Sequence, residues 1–479
     1  MPGFVTDDLL FWQFMQPSPR VPQRELFGGE LAELLNHKHP LFRLANRIDW
    51  VSFDARIAAL YTQDLGRPGL TTRMMVGLLY LKHAFDESDE SLLSRWVENP
   101  YWQYFCGCEY LQHDLPIDPS SLSRWRQRVG AEGLEQLLQA TIQTAVQLKA
   151  VKPAELQVVN IDTTVQEKAI AFPTDARLYH KLRVALVRRA RKLHLPLRQT
   201  YVRVGQRCLA QQGRYAHARQ YRRAAKLTKK LHTMLGRVLR DIQRKAPQNA
   251  GEISDEPLRT LCARAERLLA QTRTSKDKLY SVHAPEVECI AKGKIHKKYE
   301  FGCKVSLTTT SRSNWIIGAR ACHGNPYDGH TLQEAVAQTK QLTGLEPQHV
   351  NVDQGYRKHN YIGSAAVHVI GRIGKTLSRA MRRMFKRRAA IEPIIGHLKS
   401  DNRLCRNPLR RTAGDQINVL LAAAGYNLRK LLRWLAGSGC CAPWEKLRCL
   451  LSRLREFLDA RKFAWTAPWQ EVTARACAA

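Results

Sequence analysis

The chain lacks several things at once. No stretch of its 479 residues approaches an uninterrupted apolar run of about 18, so a membrane-spanning helix is not expected. Residues 1–8, Met1-Pro2-Gly3-Phe4-Val5-Thr6-Asp7-Asp8, lack the basic start and apolar run of a signal peptide, so an intracellular protein is expected. None of its 12 Cys forms a Cys-x-x-Cys pair: Cys106 and Cys108 are one residue apart, Cys440 and Cys441 are adjacent, and the others are scattered. That spacing argues against a disulfide framework and a zinc module, and leaves most cysteines as reduced, small core residues. There is no tandem repeat and no low-complexity tract. Acid is scarce: 42 Asp plus Glu face 76 Lys plus Arg, a net charge of +34.

What is present suits a folded, polyanion-binding protein. The length corresponds to about three domains. An apolar content of 44% is enough for a packed core. The cation excess points first to nucleic acid and second to a membrane surface. It is also concentrated. Residues 177–245 hold 21 Lys/Arg and one acid, Asp241, while residues 372–411 hold 13 Lys/Arg and two acids, Glu392 and Asp401. The rest of the chain is nearly balanced, 42 basic to 39 acidic. Neutralising phosphates requires cations gathered in this way, because each contact releases a condensed counterion.

Residues 1–150 read as helical. Apolar positions from Leu70 to Leu81 repeat at three and four. Asp118-Pro119-Ser120-Ser121 reads as a helix start. The segment that follows carries Arg124, Arg126 and Arg128, and suits either a helix that meets DNA or an ordinary solvated basic helix. The pattern changes at Leu156–Val165, a short β-branched run predicted to be a buried strand. From 177 to about 278 it turns helical again, with Leu178, Leu182 and Leu186, then Leu227, Leu231, Met234, Val238 and Ile242, at helical spacing. Strands follow over 300–310, 315–321, 348–353 and 366–370, with a turn at 324–329 and a helix from about Thr331. From about Leu377 the chain is helical and very basic, and the tail from Trp444 to Phe463 is amphipathic. This order implies a mixed α/β sheet domain with a large insertion after its first strand. The predicted organisation is a helical DNA-binding domain over 1–150, a catalytic domain over 151–435 with its insertion at about 177–280, and a helical tail over 436–479.

Two Asp, Asp162 and Asp353, fall at the predicted ends of separate strands, and Glu392 lies in the basic helical segment. Carboxylates so placed, among cations, suit hard cations such as Mg²⁺, whose shell is completed by water and phosphate oxygens. Two such ions roughly 3.5–4 Å apart can serve both the attacking and the leaving oxygen at phosphorus. Composition alone leaves rivals: Asp175 and Glu167 for the first position, and Asp328 for the second. Around Glu392 the helix period places Phe385, Arg388, Glu392 and Lys399 on roughly one stripe, with Ile391, Ile394, Ile395 and Leu398 on a neighbouring apolar one. Pro393 predicts that this helix kinks or starts afresh near Glu392.

Several stretches together resemble a known family. They are Ile161-Asp162-Thr163-Thr164-Val165-Gln166-Glu167-Lys168-Ala169-Ile170 with Pro173-Thr174-Asp175-Ala176; Pro285-Glu286-Val287-Glu288-Cys289-Ile290 with Lys292-Gly293-Lys294; Gly324-Asn325-Pro326-Tyr327-Asp328-Gly329-His330-Thr331-Leu332; Asp353-Gln354-Gly355-Tyr356; and Arg388 through Lys399. The chain resembles bacterial insertion-sequence transposases with an Asp-Asp-Glu triad on an RNase H-like fold, closest to the insertion-sequence-five family. The resemblance implies Asp162, Asp353 and Glu392 as catalytic metal ligands for two Mg²⁺, with Mn²⁺ as a substitute. It implies Arg388 and Lys399 as DNA contacts near the cleaved end. Phe385 stands where the family signature has Tyr, and is left out of the site. Asp328 and His330 fit a family motif and read best as a turn with a helix cap. The implied protein is a nucleoid-associated DNA transposase. It binds double-stranded DNA at element ends and target, hydrolyses a phosphodiester, transfers the freed strand, and acts as a homodimer.

Overall fold

The computed structural model describes residues 29–57, 69–249, 252–272, 274–291, 298–371 and 378–439. The amphipathic tail and Lys292-Gly293-Lys294 lie outside the described residues. The chain opens with helices α1 (Leu31–Leu34), α2 (Pro40–Ala45), α3 (Val51–Ile57), α4 (Thr72–Ala84), α5 (Asp89–Glu98), α6 (Pro100–Phe105) and α7 (Pro119–Gln147). Side chains cap several of them. The Thr71 hydroxyl accepts from the Met74 amide, and the Asp118 carboxylate accepts from the Ser120 amide at 2.8 Å. These bonds satisfy amides that have no partner inside the helix. α7 bends at Gly130, whose φ of +68° is easy for glycine alone.

Strand β1 (Val158–Glu167) begins the sheet. An inserted body follows: α8 (Asp175–Lys192), α9 (Val202–His217), α10 (Tyr221–Lys245), the short strands β2 (Gln248–Asn249) and β3 (Glu252–Ile253), and α11 (Glu256–Ala270). The sheet resumes with β4 (Glu288–Ala291), β5 (Tyr299–Thr310) and β6 (Ile316–Cys322), then α12 (Leu332–Thr343), β7 (His349–Val352) and β8 (Ala366–Val369). Helices α13 (Arg379–Arg388), α14 (Ile391–Asp401) and α15 (Arg411–Gly439) complete it.

Among the described residues six strands form one sheet, in the order β4-β5-β1-β7-β8, with β6 also on β5. β4 and β6 share one edge of β5, end to end. β1 is antiparallel to β5 and parallel to β7, and β7 is parallel to β8. The predicted strands are all present with ends shifted by one or two residues. β4 is an addition, too short and too half-exposed to stand out.

One hydrophobic core joins the sheet to the helices before it. It runs from Leu78, Leu81 and Trp96 through Leu137 to Ile161, Leu307, Leu420 and Leu428. The change near residue 150 is therefore a change of element type and not a gap in packing. The insert has a core of its own, including Leu182, Leu186, Leu231, Leu235, Val238 and Leu258.

Candidate active site

β1 carries the first acid, and its register explains where that acid lies. β5 pairs with β1 along the whole strand, from Val159 to Glu167, so the strand runs five residues past Asp162. Asp162 is thus mid-strand and not at its end, a correction to the sequence reading. On the other edge, β7 pairs only as far as Asn160 with Asn351. Two residues on in each chain stand Asp162 and Asp353. Side chains alternate along a strand, so the two Asp continue the face begun by the two Asn. Asn351 Nδ2 donates to Asn160 Oδ1 at 3.1 Å, and Asn160 Nδ2 donates to the Arg387 carbonyl at 3.2 Å. That face is therefore turned to the junction of α13 and α14.

The junction supplies the third acid. α13 stops at Arg388 and α14 starts afresh at Ile391, as Pro393 requires. Pro393 then occupies the first turn, where a missing amide hydrogen leaves no helix bond broken. Ile391, Ile394 and Leu398 are buried, and Glu392 points outward, 68% exposed.

Arg388 lies between all three acids. Its Nη2 is 2.7 Å from Asp162 Oδ2 and 3.6 Å from Asp353 Oδ2, and its Nη1 is 3.4 Å from Glu392 Oε1. The guanidinium is only 12% exposed. Carboxylates this close repel one another unless a cation stands among them, and here that cation is an arginine. Lys399 is elsewhere. Its Nζ is 3.8 Å from Glu300 Oε2, two helical turns from Glu392. The fresh start falls inside the four-residue stripe expected from the helix period, yet Arg388 and Glu392 meet across it, while Lys399, on α14 with Glu392, pairs with Glu300.

A supporting layer lies beside the acids. Asp162 Oδ1 accepts from the Thr163 amide at 2.8 Å, and Asp353 Oδ1 accepts from the Gly355 amide at 2.9 Å. A Cβ on Gly355 would lie 3.0 Å from Asp353 Oδ1 and 3.2 Å from Asp328 Oδ2, so a side chain here would crowd both carboxylates. Asp328 Oδ1 accepts from the Thr163 hydroxyl at 2.9 Å and from Lys304 Nζ at 3.0 Å. Asp328 does stand in a short helical turn, 328–331, leading into α12, but the cap half of the reading fails, because neither that turn nor α12 has a side-chain cap bond. It also reaches the acid cluster, which that reading does not include. His330 is exposed and rests edge-on against Tyr327. Asp175 instead occupies the first turn of α8, exposed, and Glu167 closes β1. Tyr356 is fully buried beneath the cluster. Burial first, then the Asp162, Asp328 and Asp353 carboxylates, push its phenol well above the usual range, so it stays protonated.

Comparison with known proteins fits this arrangement. Residues 29–128 match a family described as Transposase domain (DUF772), and residues 273–428 match the Transposase DDE domain. The chain belongs to the DDE transposases. The transposase is thus a phosphoryl-transfer enzyme of a class that uses divalent metal ions and binds DNA. An uncharacterised protein, ORF8 in the nfe locus of Rhizobium meliloti, is 50% identical over 208 residues, which is 43% of the transposase and all of that relative. No solved structure matches it. Asp353 and Glu392 fall inside the matched DDE stretch, while Asp162 and the insert fall between the two matched stretches. No described helix is long and apolar enough to cross a membrane.

One feature of the site escaped sequence reasoning, Arg388 as the shared counter-ion, whereas Asp328, weighed as a rival for the second acid, lies beside the acids. The spacing of Arg388 and Glu392 by four residues was the available signal for the counter-ion.

Proposed function

We propose that this transposase is of the insertion-sequence-five type on an RNase H-like sheet, and that it joins the inverted-repeat ends of its element to target DNA. Asp162, Asp353 and Glu392 are the proposed catalytic and metal-binding residues. They are all-oxygen, anionic donors converging from a strand, the residue just after a second strand and a helix, a set that suits Mg²⁺ or Mn²⁺. When bound, such ions activate the attacking oxygen and stabilise the leaving one. The chain's own residues hold that arrangement: the Thr163 and Gly355 amides orient the two Asp, and Lys304 with Thr163 fixes Asp328 beside them. Arg388 neutralises the acids before metal enters. It would reach the phosphate beside the cleaved bond by letting go of them, and Lys399 would contact DNA further along α14. The exposed cations of the insert would track the phosphate backbone, which gives affinity and register without sequence information. End recognition would fall to the helices over 29–147. Two ends must be joined, so a homodimer is proposed for the active complex.

The observation that carries this reading is Arg388 within ion-pair distance of all three acids at once, so that residues 162, 353 and 392 surround one side chain. A strand-transfer assay tests it. Purified protein, Mg²⁺, labelled DNA bearing the flanking repeats of its own locus and a plasmid target should give joined product, and Glu392→Gln should give none. Cleavage without joining would replace the reading by a nuclease. Salt-sensitive binding with neither activity would replace it by a DNA-binding regulator.

A further inference from the structure

Away from the acid cluster, the far end of β5 brings together three different metal-ligating groups. Among the described residues, Cys303, His323 and Asp415 place their ligand atoms within 4.8 Å of one another. Cys303 lies on β5, His323 follows the last residue of β6, and Asp415 lies early in α15. Lys304 pairs with Cys322, so Cys303 and His323 face each other one residue further along. Cys303 Sγ is 3.5 Å from His323 Nδ1 and 3.9 Å from Nε2. Tetrahedral zinc with bonds of about 2.3 Å to sulfur and 2.0–2.1 Å to nitrogen holds those two atoms about 3.6 Å apart.

Acids outnumber cations around these groups, and Asp415 Oδ1 also accepts from Asn407 Nδ2 at 2.8 Å and from Gln166 Nε2 at 3.4 Å. Lys168 Nζ lies 2.7 Å from Asp415 Oδ1 and 3.1 Å from Glu286 Oε1, one cation shared by two acids. A further acid, Glu288, stands 4.0 Å from His323 Nδ1. Its Oε1 accepts from the Gly324 amide at 2.6 Å, while its Oε2 is buried without a hydrogen-bond partner. A buried carboxylate oxygen without a partner is costly. That cost falls when a divalent cation enters.

We propose that Cys303, His323 and Asp415 bind one borderline-soft divalent cation, Zn²⁺, and that Glu288, 4.0 Å from His323 Nδ1, moves in as the fourth donor. Zn²⁺ displaces the Cys303 S–H proton, which leaves to solvent, and binds the resulting thiolate. A thiolate–imidazole–carboxylate set selects against Mg²⁺, so this centre and the acid cluster take different metals. The site is structural. It ties β4, β5 and the end of β6 to α15, and it anchors Cys303 next to Lys304, whose ammonium holds Asp328. His323 is about one-third exposed, which leaves a path for the ion.

Co²⁺ titration of metal-stripped, full-length protein tests this. The expected result is one Co²⁺ per chain with a thiolate-to-metal charge-transfer band, lost in Cys303→Ser and retained in Asp353→Asn. Because Cys303 is buried and its variant can misfold, His323→Asn is the second variant, expected to weaken binding by more than about tenfold. No binding at micromolar Co²⁺, binding without the thiolate band, or a band that survives either Cys303→Ser or His323→Asn unchanged would overturn the proposal and leave a hydrogen-bonded Cys–His pair.

Discussion

The helical insert and the sheet that carries it both contain many cations, and they place them in opposite ways. On α10 the residues Leu231, Met234, Leu235, Val238 and Ile242 turn inward, while Arg222, Lys226, Lys229 and Lys230 are directed outward. Around the sheet and the helices packed on it, Arg388, Lys168, Lys304 and Arg126 sit against carboxylates with little exposure. The first arrangement leaves charge available to a polyanion. The second uses charge to let acids stand close together inside a protein. Net charge reports the sum of the two, so it points to nucleic acid without saying which cations meet it.

The largest effect that would break this comparison is at the acids. Asp162→Asn or Glu392→Gln should lower strand transfer by about a hundredfold to a thousandfold, the scale set by removing one group that stabilises a transition state. DNA affinity, measured by gel shift at fixed salt, should stay within about threefold of the parent chain. Loss of binding along with activity would mean that the acids organise the DNA surface as well.

The next effect concerns stability. Arg126 donates to Asp89 through Nη1 at 2.9 Å and Nη2 at 2.6 Å, and Lys82 Nζ reaches the same carboxylate at 2.6 Å. Arg126→Ala leaves Asp89 enclosed with half its partners and should cost about 3–5 kcal/mol in urea unfolding. Burial pushes the Asp89 carboxyl up, but the bonds to Arg126 and Lys82 outweigh it and hold the group well below the usual range. A depressed folded value contributes stability above the unfolded value of about 3.9 that is lost as pH falls below it. The parent chain should therefore lose stability more steeply below pH ~4 than Arg126→Ala does.

A smaller effect belongs to the insert. Replacing Arg222, Lys226, Lys229 and Lys230 together by Ala should weaken DNA binding by about tenfold or more. It should also lower the slope of log affinity against log salt by roughly one for each phosphate that no longer meets a cation. Thermal stability should change little, because these side chains are solvated. An unchanged slope would assign the exposed cations of the insert to solubility and send the DNA path elsewhere.

How much of this was legible in the sequence differs between the same two regions. The strands showed through because their β-branched runs are bounded by turns, and the insert showed through because its leucines keep a helical period. Asp162 was misplaced to a strand end because a sequence does not reveal that one neighbour, β5, continues while the other, β7, stops. The pairing of Arg388 with the acids was not legible because Asp162 and Asp353 lie far off in sequence, and only the fold brings them within reach. The cysteines were set aside on spacing, and Cys303, His323 and Asp415 share no spacing to find. Arg126 was readable in part. Two residues along a helix is about 200° of rotation, so it faces away from Arg124 and Arg128.

That rotation sets up the smallest effect. Arg124 is exposed and its Nη2 donates to the Ser120 hydroxyl at 2.7 Å, one turn back. An exposed bond of this kind is made in water, where the partner on the protein replaces a partner in the solvent at little net gain. Arg124→Ala should therefore change stability by no more than about 0.5 kcal/mol, against several for Arg126→Ala two residues away. Its effect on DNA then becomes informative, because folding is not disturbed. If α7 lies on the element end, Arg124→Ala should reduce affinity for the end sequence and leave affinity for unrelated duplex unchanged. A uniform drop on both duplexes would make it one more phosphate-binding cation, like those of the insert. No drop on either would place end recognition on another of the helices over 29–147.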